Sequence, residues 1–124
     1  MEYEVLNYQG VALIKQHQFN EAMVFFERAL ELKPNFVDAL YNFGLAHHRL
    51  GKLDQAVRLY KKAVEIDSNY ALESENKILR VIYFFSQGNI QEALETLNIL
   101  VEKNPTDALL FNMLGGCLAS IGQT

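Results

Sequence analysis

The side chains able to do chemistry are few, and their spacing does not suit it. His47 and His48 are adjacent, His17 is the third histidine, and Cys117 is the one cysteine in 124 residues. Neighbours on a helix project about 100° apart, so His47 and His48 cannot chelate one ion together. Nothing resembles the paired cysteine spacing of a structural zinc site, and a lone cysteine closes no internal disulfide. A phosphate-cradling glycine loop, a nucleophile elbow and a His-Glu-x-x-His pair are all missing. The chain reads as non-catalytic, with no cofactor and no metal. His47 and Cys117 fall on apolar helical faces and are expected in the core. His48, one step round the helix, points to another side, where contact with a ligand is set against a solvated bystander.

Charge and hydropathy narrow the class. Lys and Arg total 11 against 15 Asp and Glu, a net charge of −4, whereas general nucleic-acid binders carry a basic excess. The balance is uneven: residues 47–62 hold Arg49, Lys52, Arg58, Lys61 and Lys62 against Asp54 alone. That run reads as a solvated outer face, with a docking patch for an acidic partner as its functional counterpart. No apolar run is longer than Val81-Ile82-Tyr83-Phe84-Phe85, far short of the roughly 20 residues that span a bilayer. Met1-Glu2-Tyr3-Glu4 is acidic where a secretory leader is basic and then apolar. The expectation is a cytoplasmic chain with no nucleic acid and no membrane insertion. Half of its residues are hydrophobic, enough for one packed domain.

The elements that must position these residues repeat. A shift of 34 places Gly10 on Gly44, Ala22 on Ala56, Phe26 on Tyr60 and Ala29 on Ala63. The next match needs 37, with Gly51 on Gly88 and Ala56 on Ala93, so three residues enter near positions 69–76. Inside a unit, apolar residues recur at three- and four-residue steps, as Leu40, Phe43, His47 and Leu50, then Leu53, Val57, Tyr60 and Val64. Gly51 parts these two helices. Asn20 and Asp54 are placed as N-caps, Phe19 and Val24 as a hydrophobic staple, and Pro34 and Pro105 as stops. Seven helices follow, at about 3–16, 20–32, 37–50, 54–66, 71–87, 90–103 and 107–121, with no period-two segment. The chain is all-α. Gly10, Gly44 and Gly115 lie mid-helix, where glycine costs about 1 kcal/mol against alanine. Another helix is therefore expected to approach each of them closely. The inserted stretch around Ala71 is expected to be less constrained.

Two half-motifs sharpen the pattern. Leu40-x-x-Phe43-Gly44-x-x-His47 and Phe111-x-x-Leu114-Gly115-x-x-Leu118 share one form. Ala22-x-x-x-Phe26 with Pro34, and Ala56-x-x-x-Tyr60, share the other. Together they resemble the tetratricopeptide repeat (TPR), in three registers over nearly the whole chain. The departures are the lack of tryptophan, Ser68 in place of a terminal proline, and Gln9 in a core position. In the third unit Lys77, Arg80 and Val81 stand where the family has apolar, apolar and small residues. The resemblance implies a right-handed superhelical array of antiparallel helix pairs, in one domain over residues 1–124. Its units fall at about 3–36, 37–70 and 74–107, with the first helix of a fourth at 108–124. A similar RNA-binding repeat with a period near 35 is typically basic, unlike this chain.

The resemblance also implies a function. First helices of the family line a concave groove that binds a peptide or helix of a partner protein. Carried over position by position, the groove residues are Asn7, Tyr8, Val11, Ile14 and Lys15 in the first unit. The second unit supplies Tyr41, Asn42, Leu45, His48 and Arg49, and the third Ile78, Leu79, Ile82 and Phe85. One subset of the family grips its ligand's terminal carboxylate with lysine, arginine and asparagine. Of those five places Asn42 alone fits, with Asn7, Val11, Glu75 and Leu79 in the others, and Glu75 would repel a carboxylate. That clamp is expected to be absent, which leaves a largely apolar, aromatic surface suited to a helix face or an extended hydrophobic segment. The function expected is a protein-interaction module; the alternatives are a substrate-recruiting arm of a larger enzyme and a self-assembling scaffold. In the final helix Leu110, Met113, Leu114 and Leu118 cannot all face the preceding pair. The chain is accordingly expected to be a fragment of a longer protein, or to self-associate through that helix.

Overall fold

The computed structural model describes residues 1–74 and 76–122, the side chains of 120–122 excepted. Among the described residues there are eight helices and no strand. They are α1 (Glu2–Lys15), α2 (Phe19–Leu32), α3 (Val37–Arg49), α4 (Leu53–Ile66), α5 (Ser68–Glu73), α6 (Ile78–Ser86), α7 (Ile90–Lys103) and α8 (Ala108–Gly122). The chain divides into two compact units, Met1–Asp67 and Ser68 onward.

In the first unit α1 packs on α2, α3 on α4, and α2 on α3. The reason is written in the small residues. Ala22, Ala29, Ala56 and Ala63 are wholly buried, and so are Phe26 and Tyr60, the large residues between them. A Cβ added to Gly10 would lie 2.5 Å from the Phe26 ring, and one on Gly44 would lie 2.8 Å from the Tyr60 ring. Only a bare backbone lets those rings settle there. Phe26 also reaches the second pair, its ring 6.5 Å from that of Phe43. Tyr3 meets Phe36 edge-on at 5.1 Å, and Lys33 lies over both rings, which ties the α2–α3 connection back to α1.

The second unit holds α5 to α8, with α6 on α7 and α7 on α8. One helix expected over 71–87 is two, α5 and α6. Between them polar side chains capture backbone groups that a continuous helix would have used. Ser74 Oγ accepts the Asn76 N–H at 3.3 Å, and Asn76 Oδ1 accepts the Ile78 N–H at 3.1 Å. The Arg80 guanidinium donates to the Leu72 carbonyl across the break. The break falls where the repeat slips by three residues. Ala71, expected in a loose stretch, is instead fully buried.

The turns between paired helices close alike. Gln18 N–H donates to the Leu13 carbonyl, Lys52 N–H to that of His47, and Asn89 N–H to that of Phe84, each at 2.9 Å. This six-residue closure requires a left-handed residue, supplied by Gly51 (φ 78) and Gly88 (φ 79) and, in the first turn, by His17 (φ 60). In α2 and α4 the N-cap falls two residues earlier than the capping pattern suggested. Gln18 and Lys52 hold the N-cap positions, and no side chain caps either end. Asn20 and Asp54 are already inside their helices. Phe19 is the first helical residue of α2 and Val24 is 53% exposed, so the expected staple does not describe this end. Both prolines act as read: α2 ends at Leu32 and α7 at Lys103, each two residues before one. Gly115 departs from the pattern, since a Cβ there meets no described atom within 4 Å.

Candidate functional site

The first unit brings together most of the predicted surface residues. Asn7 on α1 is buried, 5% exposed. Its Oδ1 accepts a hydrogen bond of 3.0 Å from Nδ2 of Asn42 on α3. The two amides fix each other's orientation and join the neighbouring first helices. Beside them Tyr8 is 68% exposed and Val11 and Ile14 are half-buried, with Lys15 exposed at the helix end.

A second cluster stands on α3. The Tyr41 ring lies 5.8 Å from that of Tyr60, and His48 Nδ1 lies 3.2 Å from the Tyr60 hydroxyl, within hydrogen-bonding distance. Tyr60 is fully buried, and its hydroxyl lies against the half-buried His48. Leu45 is half-buried and Arg49 exposed on the same helix. The first pair has Phe26 and Ile14 where the second has Tyr60 and His48, 34 residues on. The hydroxyl and the imidazole therefore appear together, a signal present in the sequence that the position-by-position reading did not use.

His47 behaves otherwise. Its ring packs 4.8 Å from that of Phe43, and its Nδ1 is buried with no hydrogen-bond partner. Burial holds the imidazole below its ordinary pKa; Lys52 adds to that effect and Glu27 opposes it. Cys117 is 1% exposed and its thiol is pushed up by burial. Among the described residues no three His, Cys, Asp or Glu side chains gather as metal ligands would.

The second unit treats its predicted residues differently. Ile78, Leu79 and Ile82 are 2%, 0% and 6% exposed, whereas Phe85 is 42% exposed. Being apolar nearly all round, α6 is buried on most sides. Glu75 lies outside the described residues. No described helix is long and apolar enough to cross a membrane.

Helical hairpins, glycine seats filled by an aromatic ring from the next helix, and one turn type repeated in register define a helical repeat protein. The chain belongs to the tetratricopeptide repeat family: models of that description match residues 13–74 and 78–123. Among curated proteins it is similar to Superkiller protein 3 of Saccharomyces cerevisiae, 23% identical over 91 residues, covering 73% of this chain and 6% of that protein. It is also similar to the TPR repeat-containing protein MJ0263 of Methanocaldococcus jannaschii, 28% identical over 104 residues, covering 78% of this chain and 32% of that one. Its match thus takes in a minor part of either relative. Of solved structures, it resembles the first TPR of Spaghetti (RPAP3) bound to the HSP90 peptide SRMEEVD. The TM-score is 0.61 at 21% identity, covering 98% of this chain and 96% of that one. The NMR structure of the first TPR domain of human RPAP3 gives 0.61 at 20%, covering 98% and 94%. At these identities the likeness concerns the fold.

Proposed function

We propose that the chain is a non-catalytic protein-interaction module that binds a peptide or helix of a partner on the first-helix surface of its first unit. The observation that carries it is the Asn42–Asn7 amide pair set beside the Tyr41–Tyr60–His48 cluster. Amides held in place offer a donor and an acceptor to a peptide backbone, and the aromatic neighbours offer contact area at little entropic cost. Support comes also from the similar Spaghetti domain, which is bound to a peptide. Tyr8, Val11, Leu45 and Arg49 complete the surface.

The test is panning of a displayed peptide library against the 124-residue chain, followed by titration of the best binders. The double variant Tyr41→Ala, Asn42→Ala should weaken them by about tenfold or more while its circular dichroism stays helical. Equal affinity in that folded variant, or a library that yields no binder, would remove the proposal.

A further inference from the structure

Both first helices of the first unit carry the same stripe. On α1 it runs Glu4, Tyr8, Val11, Lys15, and on α3 Asp38, Asn42, Leu45, Arg49, each 34 residues on. Steps of four, three and four keep each set on one side of its helix. Each stripe reads carboxylate, hydrogen-bonding group, aliphatic, cation. The two helices touch through the Asn42–Asn7 hydrogen bond, and α2 packs on both, so they run in one direction. Glu4 and Asp38 therefore share one rim of the surface. Lys15 and Arg49 share the other, about 16 Å away along the helix axes. Lys15 and Arg49 are exposed, and Glu4 and Asp38 half-buried. Among the described residues, the ion pair that any of these four makes is that of Glu4 with the Met1 amine, 3.8 Å long on the surface and worth little. Complementing the helix dipole does not account for the two cations, because α2 and α4 carry none in their last turns. The pattern stops with the first unit: Ser86 stands 37 residues after Arg49, and Leu79 and Ile82 are buried.

We infer, resting on the surface proposed above, that its partner segment is an amphipathic helix laid across α1 and α3. One flank of that helix carries carboxylates against Lys15 and Arg49, and the other carries cations against Glu4 and Asp38. Rims about 16 Å apart suit a helix, whose body is about 10–12 Å across and whose charged side chains reach out on both flanks. An extended strand sends successive side chains to opposite faces and would aim half of them away. Packed helices lie about 8–10 Å apart, so the charges that meet Lys15 and Arg49 are spaced by about seven residues of helix. Its apolar side rests on Tyr8, Val11 and Leu45. Rims of opposite sign also fix the direction in which the helix lies, because turning it round sets like charges together. A repeat array grows by stacking at its ends, which leaves these stripes open whatever the length of the chain.

The probe is a displayed library of helices about 18 residues long, with a fixed leucine stripe and flanks randomised among Glu, Lys and Ala. Panned against the 124-residue chain, it should return helices with Glu about seven residues apart on one flank and Lys about seven apart on the other. The chain variant Lys15→Glu, Arg49→Glu should bind a selected helix about tenfold or more weakly, with unchanged circular dichroism. Adding Glu4→Lys and Asp38→Lys should recover most of that affinity, because the helix can then lie the other way round. Lost stability would not be recovered in this way. Binders that are weakened by Tyr41→Ala, Asn42→Ala but show no separation of charge between their flanks would overturn the helix assignment and leave the surface standing. Binders indifferent to that double variant would overturn both. A folded four-residue variant that stays weak, or a helix library without binders, would overturn the helix assignment, and the unrestricted peptide library then judges the surface by itself.

Discussion

His17 holds the left-handed turn position that glycine holds in the two later turns. A side chain there costs roughly 1–2 kcal/mol in backbone strain, part of which the ring recovers by meeting Phe19 edge-on at 5.8 Å. His17→Gly should therefore raise stability by about 1 kcal/mol, read as a higher urea midpoint with unchanged slope. A lower midpoint would show that the ring contact outweighs the strain. His47 makes the second residue-scale prediction. Its folded pKa lies below the ordinary value of 6.5, so the unfolded chain takes up the proton first. The stability it contributes is fully present above pH 6.5 and is lost as the pH falls through that value toward the depressed folded one. His47→Leu should flatten the part of the stability–pH curve below pH 6.5 that belongs to this residue. An identical slope in wild type and variant would assign the dependence elsewhere.

The helix pair is the unit that gives a glycine its meaning. In Gly44→Ala the new methyl would press on the Tyr60 ring at 2.8 Å, and overpacking of that kind costs about 1–3 kcal/mol. Gly115→Ala meets open space and gains about 1 kcal/mol of helix propensity. The same substitution at the same repeat position should thus move the denaturation midpoint in opposite directions. Two shifts of one sign would contradict the seating of Tyr60. Burial likewise decides what can be learned from α6. Ile82 is 6% exposed, so Ile82→Ala should lower stability by about 2–4 kcal/mol and serves poorly as a probe of binding. A thermal midpoint within a degree or two of wild type would show the site to be looser than it is drawn.

At the scale of the whole chain the family fold is certain, while ligand preference depends on a handful of positions. The Spaghetti domain is bound to SRMEEVD, an acidic peptide ending in aspartate. This chain carries net charge −4, and at four of the five places of the clamp it has Asn7, Val11, Glu75 and Leu79, none of them a cation. Leu79 is fully buried and offers a carboxylate nothing. Binding of that peptide should accordingly be weak, with Kd above about 1 mM, and amidation of its C-terminus should change little. Tight binding abolished by amidation would restore the clamp.

Local pattern alone determined the helices, their pairing and their family, because hydrophobic period and glycine or proline punctuation act over only a few residues. The adjacent histidines were separable on the same ground: one step along a helix turns a side chain by about 100°. Tertiary structure decided the rest. The division of the expected fifth helix depends on Ser74 and Asn76 outbidding the helix for backbone hydrogen bonds, a balance too close for propensity to settle. Gly10, Gly44 and Gly115 look alike in sequence, yet two seat a ring and one does not, because the ring belongs to another helix. The predicted surface residues met the same limit. Register places Asn42 and Ile82 alike on first helices, but only packing left one reachable and buried the other.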